Sequence, residues 1–225
     1  MGKETKELLV LEDILGSNKK IASSIRKKLT ENGILAINLL SAPGSGKTSL
    51  LEKIGQKLKN KHKIGVIEGD IETERDADRI RKAGLPAWQI TTHGACHLEA
   101  KMLAQIFDQI PADLDFLFIE NVGNLVCPAS FDLGESLRIV LVSTPEGDDK
   151  PKKYPEAFIT SQVLVLTKCD LLPYLPFDTD RVIKEALEIN PHLKVFKTSA
   201  TSGEGLDELG AFLEAELKQR RSQHA

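Results

Sequence analysis

The run SAPGSGKTS, Ser41 to Ser49, packs two glycines, a lysine and four hydroxyls into nine residues. A turn of this kind at the start of a helix lines up backbone N–H groups and the positive end of the helix dipole, which together hold polyphosphate. Gly44 and Gly46 allow close backbone approach on either side of Ser45, Lys47 is placed to reach β- and γ-phosphates, and the Thr48 hydroxyl suits a Mg²⁺ ion. Ser49 completes the loop, and only its first position departs from the GxxxxGK(S/T) pattern, with Ser41 in place of glycine. Carboxylates follow further on: Asp70 and Asp76 in GDIETERD, and Glu120 in ENVG. Acids at the ends of successive strands beside a phosphate loop supply magnesium ligands, directly or through water, so Lys47, Asp70, Asp76 and Glu120 form the candidate catalytic group. Gly123 suits a backbone N–H that senses the γ-phosphate. Asn124 follows it, where small GTPases carry a water-orienting glutamine, so intrinsic hydrolysis is expected below roughly one turnover per second.

The base is read elsewhere. In TKCD, Asp170 can accept from both N1–H and the exocyclic amine of guanine, while the stem of Lys168 covers the ring face. Ser199 and Ala200 lie in TSATSGEG, where the Ala200 N–H is placed to donate to guanine O6. GTP and GDP are therefore the expected nucleotides. Thr167 stands where asparagine often ties this loop to the phosphate loop, so the sequence predicts a lost tie and weaker affinity with the same base preference.

Cys96 and His97 adjoin in GACHLEA, and Cys127 follows the ENVG segment. Two readings are open from the residues alone. Unpaired cysteines are usually small buried apolar groups, whereas thiolate and imidazole together ligate Ni²⁺ or Zn²⁺. Cys169, inside the base-reading loop, reads as structural.

The elements needed to hold these groups are legible as alternation. ILAINLL, KIGVIE, AWQIT, DFLFIE, LRIVLVS, VLVLTK and KVFKTS are short apolar runs, separated by segments of helical period. This predicts an α/β, three-layer P-loop NTPase fold with a mostly parallel sheet of about seven strands flanked by helices. A first helix is expected from a cap at Ser17 or Asn18 to Gly33, and a last one from about Leu206 to Arg221. No linker divides the chain, so residues 1–225 are expected as one P-loop GTPase domain with residues 1–33 as a helical extension packed on it. A net charge of -3 with both signs interspersed gives no footprint for nucleic acid or an anionic membrane. No apolar run nears the roughly 20 residues of a membrane span. MGKETKELL lacks a secretory core, and three cysteines suit a reducing compartment, so the expected location is cytoplasmic.

Taken in order, SAPGSGKT, GDIETERDADRI, GACHLEAKM, ENVGNLVCPASFDLGE, EGDDKPKKYPEAF, TKCDLLP and TSATSGEGL resemble the HypB family, GTPases that deliver nickel during nickel-iron hydrogenase maturation. GACHLEA and ENVGNLVCP are the most specific parts, and the resemblance covers nearly the whole chain. It implies slow GTP hydrolysis, Cys96, His97 and Cys127 as ligands for nickel or zinc with the fourth position open to water or to a group from a second subunit, a nucleotide-dependent homodimer, and hydrogenase maturation proteins as partners. The chain departs from some members in having no CxxCGC motif or histidine-rich stretch, so a high-affinity amino-terminal nickel site is not implied. The related urease GTPases of the UreG type carry Cys-Pro-His, which this chain does not; an ATP-dependent small-molecule kinase would need no guanine motif; and a non-hydrolysing scaffold would bind nucleotide without releasing phosphate. LLPYLP, with Leu172, Tyr174 and Leu175, and the lysines of EGDDKPKKYPEAF are further candidates for apolar contact and for phosphate or partner contact.

Overall fold

A computed structural model describes residues 3–224, with side chains over 13–223. Seven strands are present: β1 (Leu35–Ser41), β2 (Ile64–Asp70), β3 (Ala87–Thr91), β4 (Phe116–Glu120), β5 (Leu137–Ser143), β6 (Val163–Thr167) and β7 (Lys194–Lys197). They form one sheet in the order β3-β2-β4-β1-β5-β6-β7. Every pairing is parallel. The helices are α1 (Lys3–Glu31), α2 (Lys47–Leu58), α3 (Arg75–Lys82), α4 (Ala100–Ile106), α5 (Cys127–Ser130), α6 (Lys150–Lys153), α7 (Pro155–Ile159), α8 (Thr179–Ile189) and α9 (Leu206–His224). This is the P-loop layout expected from the alternating runs.

The central strands are apolar on both faces because both faces are covered. Leu35, Ile37 and Leu39 of β1 pack with Leu50, Leu51 and Ile54 of α2 and Leu209 and Leu213 of α9. On the opposite face Ala36 joins Ile67 and Ile119, under Ala22, Ile25 and Leu29 of α1 and Leu103 of α4. A third cluster joins Val140, Val142, Leu164 and Leu166 to Ala157, Phe158, Val182 and Ala186. From β1 the chain crosses to β2 and β3, returns to β4 between β2 and β1, and continues on the other side with β5. The reversal leaves a crevice at the carboxyl ends of the strands, where open α/β sheets bind ligands.

One boundary differs from the sequence reading. α1 runs straight through Ser17 and Asn18. Asn18 is buried, and its carboxamide serves other elements: Oδ1 accepts from the Ala100 N–H at 2.8 Å, capping α4, and Nδ2 donates to the Asp132 carbonyl at 2.7 Å. A residue that looked like the cap of its own helix is the cap of another one. At the other end α9 reaches His224, a few residues past Arg221. No helix among the described residues is long and apolar enough to cross a membrane.

Candidate functional site

β1 ends at Ser41 and α2 begins at Lys47, so the loop between them sits at the sheet's switch point. Gly46 has a φ of 89°, the left-handed conformation that an L side chain resists, and it ends the turn as α2 begins. Lys47 Nζ donates to Ser41 Oγ at 2.9 Å. The serine at the pattern's aberrant first position thus parks the lysine. Ser45 Oγ and Ser143 Oγ both donate to Glu146 Oε1, which fastens the loop from below. Ser49 accepts from Arg79 Nη2 at 3.1 Å.

A cavity of about 480 Å³ opens above this loop and brings together Gly44, Gly46, Lys47, Thr48, Ser49, Asp70, Asp76, Glu120 and Lys168, all singled out in the sequence, with Glu68 and Arg79, which were not. Thr48 Oγ1 donates to Glu120 Oε1 at 2.9 Å. Asp70 accepts the backbone N–H groups of Glu72 and Thr73, which shapes the loop before α3, and Asp76 accepts from Arg79 at 3.2 Å. Glu68 was not singled out in the sequence. The β2–β4 register sets it directly opposite Glu120, so two buried carboxyls adjoin. Burial, with the charge of Glu120 next, pushes the Glu68 carboxyl up to about 11, and burial likewise raises Glu120 against the opposing charge of Lys47. A proton held on this pair relieves the repulsion. Glu68 Oε1 and Glu120 Oε2 are buried without a hydrogen-bond partner. Orphaned carboxylate oxygens beside a threonine hydroxyl are a donor set that suits a hard divalent cation.

Next to this cavity lies a smaller one of about 240 Å³, lined by Gly46, Ser49, Thr167, Lys168, Asp170, Thr198, Ala200 and Thr201. β6 delivers Thr167 and the next residue, Lys168, turns with a φ of 58°, which aims its side chain back over the phosphate loop, where Nζ donates to the Gly44 carbonyl at 2.7 Å. Ser199 Oγ donates to Asp170 Oδ1 at 2.6 Å and so fixes the carboxylate's orientation. Thr167 corrects the expectation of a lost tie. Its hydroxyl donates to the Ser45 carbonyl at 2.6 Å, so a shorter side chain makes the link expected only of asparagine. Cys169 is buried in the third core cluster, in keeping with a structural part.

Cys96 and His97 lie in the loop before α4, and Cys127 opens α5. Their ligand atoms all lie within 4.8 Å of one another. Residues 31 positions apart in sequence meet because β4, which leads to Cys127, pairs with β2 directly beside β3, which leads to Cys96. The His97 ring stacks against Phe131 at 4.0 Å between centroids, and its Nε2 is buried with no hydrogen-bond partner. Burial lowers the His97 pKa, which favours the neutral ring that binds metal, while the Cys127 sulfur and then burial hold the Cys96 thiol up. Two sulfurs and the imidazole, whose Nδ1 lies 3.7 Å from Cys96 Sγ, fit a borderline-soft cation such as Ni²⁺ or Zn²⁺.

Two further candidates fare differently. The lysines of EGDDKPKKYPEAF turn to local partners, Lys150 to the Glu146 carbonyl, Lys152 to Glu185 and Lys153 to Asp149. In LLPYLP, Leu172 packs on the core while Tyr174 is 80% exposed.

The model of the nucleotide-binding domain of CobW, HypB and UreG matches residues 35–197. The hydrogenase maturation factor HypB of Escherichia coli K12 is 46% identical over 217 residues, spanning 96% of this chain and 75% of that protein. Among solved structures, HypB from Archaeoglobus fulgidus superposes with a TM-score of 0.83 at 39% identity, covering 90% of this chain and 99% of the other. HypB from Helicobacter pylori in complex with nickel gives a TM-score of 0.84 at 38% identity, covering 92% and 97%.

Proposed function

Because this chain belongs to the CobW/HypB/UreG family, as a member of its HypB group, we propose that it is a GTP-hydrolysing metallochaperone that carries nickel for hydrogenase maturation. The observation that carries this reading is the meeting of Cys96, His97 and Cys127 at ligand spacing, at the end of the segment that begins with Glu120. A nucleotide switch alone has no use for that cluster.

The chain's own residues assign the parts. Lys47 leaves Ser41 for the β- and γ-phosphates, and the loop's N–H groups take the remaining oxygens. Thr48, with Glu120 and Asp70 behind it, would hold Mg²⁺, whose charge offsets that developing on the phosphates. Asp70, at the end of β2, shapes the loop before α3, and that loop, with Asp76 on the first turn of α3, moves as the γ-phosphate comes and goes. Asp170, fixed by Ser199, selects guanine, Lys168 covers the ring, and Ala200 N–H reads O6. No glutamine follows Gly123, which keeps hydrolysis slow.

Nickel is the cargo, and Zn²⁺ fits the same ligands. Three protein ligands leave a tetrahedral metal one short. Cys96 is exposed, which leaves the fourth position open to water or to a group from a second copy brought close in the GTP state, and this supports a homodimer in the cycle. Partners are then hydrogenase maturation proteins that take the metal.

Nickel transfer to a purified hydrogenase precursor, compared between GDP and GTP states, tests the whole reading. Transfer that depends on GTP, with phosphate release below roughly one per second, is the expected result. Equal transfer in both states, or tens of turnovers per second, would contradict it.

A further inference from the structure

The loop bearing Cys96 and His97 is gripped by the segment bearing Cys127 through two asparagine side chains. Asn121, 1% exposed, accepts the Leu98 N–H on Oδ1 at 3.1 Å and donates through Nδ2 to Asn38 Oδ1 at 3.3 Å. Asn124 donates through Nδ2 to the Cys96 carbonyl at 3.4 Å and accepts the Val126 N–H on Oδ1 at 2.9 Å. The two contacts fall on residues 96 and 98, one on each side of His97. Asn124 also bonds the turn that immediately precedes Cys127.

The same residue reaches the phosphate loop. The Asn124 backbone forms an isolated antiparallel bridge with Ser41, the residue that holds Lys47 in place. Gly123, one position earlier, packs on Pro43 so tightly that an added Cβ would lie 2.9 Å from its Cα. Asn124 is therefore in contact with both thiol-bearing segments and with the first residue of the phosphate loop. Leu98, by contrast, is fully buried against Gly69 of β2, so the Asn121 end of the grip is anchored in the core. One end is anchored in the core and the other is attached to the phosphate loop.

We propose that Asn121 and Asn124 form an amide clamp, in which Asn124 is the positioning residue that sets the spacing of Cys96 and His97 from Cys127 and ties that spacing to the phosphate loop. Neither asparagine touches the metal. Groups that orient metal ligands from outside typically change affinity by about 10- to 100-fold when removed. The inference rests on the metal-carrying reading above and adds to it the part that transmits nucleotide state.

The test is Ni²⁺ binding by competition with a chromophoric chelator, on the full chain, for wild type, Asn124→Ala, Asn124→Asp and Cys127→Ala. The thiolate-to-nickel charge-transfer band and GDP affinity are followed alongside. Asn124→Asp keeps the acceptor for Val126 and loses the donor to Cys96, so it should fall between wild type and Asn124→Ala. Asn124→Ala should weaken nickel about tenfold or more, shift the charge-transfer band, and leave GDP affinity within about twofold. Wild-type nickel affinity and spectrum in Asn124→Ala would overturn the clamp and leave the metal site standing. Wild type that binds nickel no better than Cys127→Ala would overturn the metal reading and the clamp with it. A parallel tenfold loss of GDP affinity in Asn124→Ala would also overturn the clamp, since a general disturbance of the crevice would then explain both.

Discussion

The nucleotide crevice and the thiol-imidazole cluster stand at the same edge of the same sheet, yet they are built to different standards. In the crevice most functional side chains already have a partner, Glu68 Oε1 and Glu120 Oε2 excepted: Lys47 on Ser41, Thr48 on Glu120, Thr167 on Ser45, Lys168 on Gly44 and Asp170 on Ser199. The cluster has one exposed cysteine, one half-buried cysteine and an imidazole nitrogen with no partner. Its attachment to the core runs through Asn121 and Asn124. A site that must recognise one ligand faithfully is held by many short bonds from rigid strands. A site that must take a metal and let it go is hung from a loop by few. On the proposed reading, adjustability lies on the cargo side.

Substitutions that affect one region and spare the other sharpen that contrast. The largest effect is expected from Asp170→Asn, which loses the acceptor for both guanine donors. Its preference for GTP over ATP should fall by up to about four orders of magnitude in competition binding, with nickel affinity unchanged. Gly123→Ala comes next and should break the separation, because its methyl group meets Pro43 of the phosphate loop. Overpacking of this kind costs about 1–3 kcal/mol, and roughly a tenfold loss of GTP affinity, measured calorimetrically, should come with altered nickel binding. The smallest effect is Thr167→Val, which leaves the buried Ser45 carbonyl without its hydroxyl donor. A loss of about 1 kcal/mol, seen as a fall of about 2–4 °C in melting temperature, is expected, again with nickel unaffected.

Much of the crevice was legible because its chemistry is local in sequence. Gly44 to Thr48 are consecutive, and Lys168 and Asp170 need only the end of one strand to place them. Glu68 was not legible, since it closes an apolar run and gains meaning only when β2 lies beside β4, a neighbour more than forty residues away. Thr167 was misjudged for a related reason. The length of its reach to Ser45 depends on how closely β6 and the phosphate loop approach, which no spacing in one strand reveals. Asn18 shows the same limit at the helix level, where local preference suggested a cap and tertiary packing made it the cap of α4. The metal cluster occupies a middle position. Its residues stood out as types, but their meeting depends on crossover order.

In the proposed switch the phosphate site and the metal site report to each other. Nickel affinity of the wild-type protein, measured by chelator competition with GDP and with a non-hydrolysable GTP analogue, tests it most directly. A ratio of at least about fivefold between the two states is expected, the lower end of coupled binding. Equal affinities would leave two independent sites that share an edge of the sheet.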